Sequence, residues 1–132
     1  MDYSWQESFQ HLGEAITRLG EVIEMPKDKH RVVLDATIQR FEFTIELFWK
    51  TLRRVLSTEG VVTRTPRETL QKAYQMNWIH DEQLWLRMIE DRNETSHIYD
   101  EEKANAICDR IRTYHPALKA AYQFLQTRLR EV

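Results

Sequence analysis

The stretch Arg92-Asn93-Glu94-Thr95-Ser96-His97-Ile98-Tyr99-Asp100 gathers four useful chemistries into nine positions. Arg92 is a fixed planar cation suited to phosphate, and His97 carries an imidazole that titrates near neutral pH. Tyr99 adds a phenol and Asp100 a carboxylate. An arginine beside a histidine can hold a phosphodiester while the imidazole takes or delivers a proton. RNA cleavage needs little more, because its own 2′-OH serves as nucleophile and no metal is required. Two such sites facing each other across a dimer would supply both the base and the acid.

The spacing sets a condition on the backbone. Five positions on an ideal helix turn through about 500°, which leaves roughly 140° between the two side-chain directions. A helix running through both residues would make them diverge, so it must end or loosen between them. Asn93, Thr95 and Ser96 are residue types that hydrogen-bond a fraying end. A plainer reading of the same residues has Arg92 paired with an opposing carboxylate and His97 as a helix C-terminal histidine favoured by the dipole. Glu90, Asp91, Glu94, Asp100, Glu101 and Glu102 crowd the segment. Unless Arg87, Arg92, Lys103 or another subunit neutralises them, they repel a polyanion.

The elements that position this stretch follow from composition and periodicity. With 132 residues, the chain fits one domain, 1–132, large enough for a real core. Its 42% hydrophobic and 30% charged residues are those of a soluble globular protein, and a net charge of −2 argues against a wholly basic polyanion binder. No apolar run approaches the roughly 18 residues of a membrane span, so no membrane partner is expected. The start MDYSWQESFQ lacks a signal-peptide core, and Cys108 is the only cysteine, so a cytoplasmic, reducing setting is expected.

Three prolines, three glycines and no alternating strand pattern leave helix. Trp5, Phe9, Leu12, Ile16, Leu19 and Ile23 recur in steps of four and three, predicting a first helix over 3–24 that Pro26 closes. The second, over 28–58, carries Leu34, Ile38, Phe41, Ile45, Phe48, Leu52 and Val55, and Gly60 stops it. Val33, Phe43, Leu47 and Trp49 widen its stripe, as suits a helix inside a bundle or at a dimer interface. Thr65-Pro66-Arg67-Glu68 reads as a capping box opening a third helix to about Trp78, with Leu70, Ala73, Tyr74 and Trp78 inward. Asp81 caps a fourth, carrying Leu84, Trp85, Met88 and Ile89 into the Arg92 motif. Asp100 caps a fifth, with Ala104, Ile107, Ile111, Tyr114, Leu118, Ala121 and Leu125 inward. Pro116 predicts a kink in that last helix or two helices in tandem. Short connections make the whole an all-α, up-and-down bundle of about five helices.

Other residues carry weaker signals. His11, His30, His80, His97 and His115 show no ligand spacing with each other or with Cys108, so no metal site is expected. No Gly-rich phosphate loop is present, and no cofactor is expected. Arg53, Arg54, Arg64 and Arg67 gather around the Gly60 turn. They form either a basic patch for RNA or a partner protein, or a solvated helix end favoured by the dipole. Trp49, Trp78 and Trp85 could stack bases, although aromatics at helical spacing are more often core.

The nine-residue stretch resembles the arginine-x(4–6)-histidine signature of the HEPN superfamily. More closely, Asn93-Glu94-Thr95-Ser96-His97-Ile98-Tyr99-Asp100 is similar to the N-x-T-S-H-x-Y-D string of the nucleotidyltransferase substrate-binding (HepT-like) proteins. Trp5, Phe9 and Leu12, and the aromatic-rich run from Phe41 to Trp49, suit that family too. The resemblance implies a helical-bundle homodimer that binds a cognate small nucleotidyltransferase in a toxin–antitoxin-like pair. Arg92 and His97 would be the catalytic pair of a metal-independent ribonuclease, with Asn93 and Ser96 as supporting polar groups. Tyr99 would be the hydroxyl to which the partner adds AMP, a bulky anion two residues from His97. An alternative implication is a non-catalytic substrate-binding subunit that presents a substrate to the nucleotidyltransferase.

Overall fold

The four-three rhythm of apolar residues turns one stripe of each helix toward a shared core. In the computed structural model, residues 4–26, 30–98 and 100–130 are described, with all their side chains except those of His30 and Arg130. Among them run α1 (Trp5–Ile23), α2 (His30–Thr58), α3 (Pro66–Gln75), α4 (Glu82–Glu94) and α5 (Glu101–Arg130). A short 3-10 turn, Thr95–His97, joins α4 to α5, and no strand occurs among the described residues. The all-α bundle expected from the pattern is the fold observed.

The hub is α2, which packs against each of the other four helices. Phe41, Ile45, Phe48 and Leu52 are fully buried along it. Each such side chain contributes about 1.5–3 kcal/mol relative to exposure. Trp85 of α4 meets Phe48 at 4.8 Å between ring centroids, and Tyr114 of α5 stacks near Phe41 at 5.8 Å. These two contacts hold both helices that flank the Arg92 motif against α2. Trp49, Trp78 and Trp85 are all buried, so they are core residues and offer no stacking face.

Local signals account for most helix ends. Thr65 accepts from the Glu68 backbone N–H at 3.1 Å, as a capping residue should. The Glu68 carboxylate reaches back to the N–H of Arg64, not Thr65. Gly60, at φ 81°, closes α2 with the N–H of Val61 on Leu56 and that of Gly60 on Ser57. The same double closure ends α3 at Gln75, three residues earlier than its apolar pattern suggests. There Asn77 takes φ 61°, and Trp78 bonds back to Ala73 and Asn77 to Tyr74. Trp78 is thus core by virtue of the turn that follows the helix. α1 likewise ends at Ile23, before Pro26.

Two apolar expectations fail. Phe43 is 61% exposed and Tyr74 is 43% exposed. Phe43 lies beyond the strip of α2 that α1 covers and lines a groove with His11, Glu14 and Arg18. Pro116 does not divide α5, which runs through it as one helix. The ring sits on the exposed face, where solvent can meet the carbonyl it leaves unbonded.

Candidate functional site

The motif lies where α4 gives way. The α-helix stops at Glu94, and the chain tightens into the 3-10 turn that ends at His97. Thr95 Oγ1 donates to the Arg92 carbonyl at 2.6 Å, and Ser96 Oγ to that of Asn93 at 3.3 Å. Their hydroxyls thus bond back to carbonyls of the last turn, that of Arg92 shared with the Thr95 N–H, as expected from their types. Ile98 packs against the core and anchors the far side of the turn. Asp100 then caps α5 by accepting from the Lys103 N–H at 2.8 Å. His97 is left exposed at the end of the turn, just before the Ile98 anchor.

Arg92 turns toward α2. Its guanidinium is hydrogen-bonded to the Glu46 carboxylate and, at 3.1 Å, to Asn93 Oδ1. The side chain remains 31% exposed, so an anion can still reach it. Glu46 also accepts from Trp49 Nε1 at 3.2 Å and pairs with Lys50 at 3.1 Å. Burial alone would raise its carboxyl, but these hydrogen bonds and the charges of Arg92 and Lys50 hold it below its ordinary value. The arginine's hydrogen bonds thus go to Glu46 and Asn93 and not to His97. The structure brings Arg92, Asn93 and Glu46 together, and places Ser96 and His97 on the adjoining turn. Tyr99 lies outside the described residues.

One position earlier, about 100° around α4, Asp91 faces α5 instead. It is buried, and both its oxygens are held by Arg110 of α5, at 2.9 and 3.0 Å. Tyr114 Oη donates to it at 2.5 Å. Burial, then the bond it donates to Asp91, push the Tyr114 phenol well above its ordinary value, and the bonds that Arg110 donates to Asp91 raise the arginine as well. Asp91 is therefore neutralised and no longer counts among the carboxylates that repel a polyanion. Glu90 faces Arg67 at 3.9 Å across the surface, while Glu94, Asp100 and Glu102 remain exposed.

Glu46 and Arg110 were not singled out from the sequence. The first lies 46 positions from Arg92, and only the pairing of α2 with α4 unites them. A carboxylate opposing Arg92 was foreseeable in kind but not in position. Cys108 is buried, and burial pushes its thiol up to about 11, which makes it inert. Among the described residues, no group of three or more His, Cys, Asp or Glu is placed to hold a metal ion. No helix among the described residues is long and apolar enough to cross a membrane.

The molecule is an all-helical bundle with Arg92 and His97 at the α4–α5 junction. Solved structures share this fold. The tri-AMPylated HEPN toxin of Shewanella oneidensis, in complex with its MNT antitoxin, superposes with a TM-score of 0.75 over 96% of this chain and 99% of its own. At 14% identity, that likeness is one of fold alone. A Haemophilus influenzae protein with the fold of a substrate binding domain of a nucleotidyltransferase gives a TM-score of 0.69 at 25% identity, over 92% of this chain and 96% of its own.

In sequence, residues 7–127 match the model of the nucleotidyltransferase substrate binding protein-like family, and the chain belongs to that family. A probable ribonuclease HepT from Haemophilus influenzae is 33% identical over 84 residues, which are 60% of this chain and 58% of the relative.

Proposed function

We propose that this chain is the HEPN subunit of a two-component pair, binding a cognate small nucleotidyltransferase and cleaving RNA without a metal through Arg92 and His97. The observation that carries the reading is the break after Glu94. It frees His97 from the helix one turn beyond a half-exposed Arg92. Two of the Arg92 N–H donors are engaged by Glu46 and Asn93, which leaves the others for a phosphate. In the cleavage step a base takes the 2′-OH proton and the 2′-oxygen attacks phosphorus. The 5′-oxygen leaves with a proton from an acid. The products are a 2′,3′-cyclic phosphate and a 5′-hydroxyl. The chain acts as one domain, in a cytoplasmic homodimer, so that two copies of His97 can share the acid and base roles.

Family membership supports the link to a nucleotidyltransferase, and the relative named a probable ribonuclease supports the chemistry. The Shewanella toxin, AMPylated and bound to its antitoxin, supports control by the partner. In this chain the acceptor is Tyr99, whose phenol oxygen attacks the α-phosphorus of ATP with release of pyrophosphate. A second reading has a specific observation behind it. Arg92 is already neutralised by Glu46, and such a cation is better suited to anchoring than to transition-state charge. There the chain is a non-catalytic subunit presenting a substrate to the nucleotidyltransferase.

Intact mass after incubation with the cognate nucleotidyltransferase, ATP and magnesium separates the two. A gain of AMP units that disappears in Tyr99→Phe supports the controlled ribonuclease. A stable complex with no gain in mass, and no cleavage of RNA by the free chain, overturns it in favour of the presenting subunit.

A further inference from the structure

Three arginines whose charge the motif does not use meet at the far end of the same α2 face. Arg53, Arg54 and Arg64, with Ser57, Val62 and Thr63, line a cavity of about 380 Å³. None of the three arginines is paired with a carboxylate among the described residues. Of the acids nearest in sequence, Glu59 pairs with Arg128, and Glu68 accepts from the Arg64 backbone N–H and not from its guanidinium. Two of the cations are also held in place. Arg53 lies over the Trp49 ring at 5.2 Å, and Arg54 donates to Ser8 Oγ at 3.2 Å. Uncompensated charge fixed in a concave site suits an anion with several acceptor oxygens.

The cavity is in line with the motif. Glu46, Lys50, Arg53 and Ser57 fall within about 60° of one another around α2, and the run from first to last spans about 16 Å. Trp49 bridges the two ends, donating to Glu46 on one side and carrying Arg53 on its ring. A strand whose phosphate meets Arg92 can therefore continue along α2 to the arginine cavity.

We propose that the Arg53–Arg54–Arg64 cavity is a backbone-phosphate subsite that holds single-stranded RNA a few nucleotides from the cleavage point. The inference rests on the RNA reading above and adds where the strand runs. A site whose polar groups are cations and hydroxyls reads the backbone and not the bases, so it contributes affinity that depends on salt and not on sequence.

Binding of a fluorescein-labelled uridine octamer to the His97→Ala chain, followed by anisotropy over a salt series, tests it. Adding Arg53→Gln and Arg64→Gln is expected to weaken binding about tenfold and to flatten the log–log salt slope by about 1.4, at roughly 0.7 per phosphate for single strands. Arg64→Gln alone, away from the core stack, is expected to show about half that change in slope. Unchanged affinity and slope in both variants, with RNA still bound by the parent, overturns the subsite and leaves the ribonuclease reading standing. A parent that does not bind the octamer overturns both. Loss of the nucleotidyltransferase complex with no effect on RNA binding overturns the subsite and assigns the cavity to a protein partner.

Discussion

Asp91 and Arg92 are neighbours on α4, yet they belong to different regions of the molecule. Asp91 points into the α4–α5 seam, where Arg110 grips both its oxygens and Tyr114 adds a buried hydroxyl. Arg92 points across to α2, where it shares Glu46 with Trp49 and Lys50 and stays partly open to solvent. The first network is closed, since its carboxylate is buried and fully partnered. The second is open, since its guanidinium keeps donors to spare. A closed network fixes the helix, and an open one can take a ligand. One residue of rotation on a helix separates the two roles.

The largest expected effect breaks the comparison on its chemical side. His97→Ala is expected to lower RNA cleavage by about 100-fold or more, the usual range for losing a general acid or base. Because His97 is exposed on the 3-10 turn, the melting temperature is expected to stay the same. Parent-like cleavage by this variant removes the catalytic assignment. Next in size, Asp91→Ala should act in the opposite manner. It strands a buried phenol and an arginine, for a loss of about 2–3 kcal/mol in urea unfolding. A loss below about 0.5 kcal/mol would mean that the seam is held by apolar packing alone.

The same contrast shows what could be read from the sequence. The Asp81 and Asp100 caps, the Thr65 cap and the break between Arg92 and His97 rest on local rules, and each is found. The apolar rhythm located nearly all of the core, because burial follows the 3.6-residue period. It failed at Phe43 and Tyr74, where the period continues but no neighbouring helix covers the residue. The end of α3 was misplaced because Asn77 adopts the left-handed conformation that glycine usually signals. Partners were the least legible part of the site. Arg110 is 19 positions from Asp91 and Glu46 is 46 from Arg92, so only helix packing identifies them.

The smallest expected effect probes the open network from its acidic side. Glu46→Gln keeps the size of the side chain and an acceptor for Trp49, but removes the charge shared by Arg92 and Lys50. For a pair this exposed, the loss of stability at neutral pH is expected to be under about 1 kcal/mol. The sign of its pH dependence follows from the carboxyl, which lies below its ordinary 4.5 in the folded chain. Its contribution is therefore full above 4.5 and is lost as pH falls through the lower folded value. Parent and variant melting curves should then converge only in acid below about 4.5. The functional consequence is expected to be larger than the structural one. Freed of Glu46, Arg92 has its full charge for phosphate, and affinity for the uridine octamer should rise a few-fold while the fold is hardly changed. A fall in affinity would mean that Glu46 orients the guanidinium for RNA, and that the network is closed like that of Asp91.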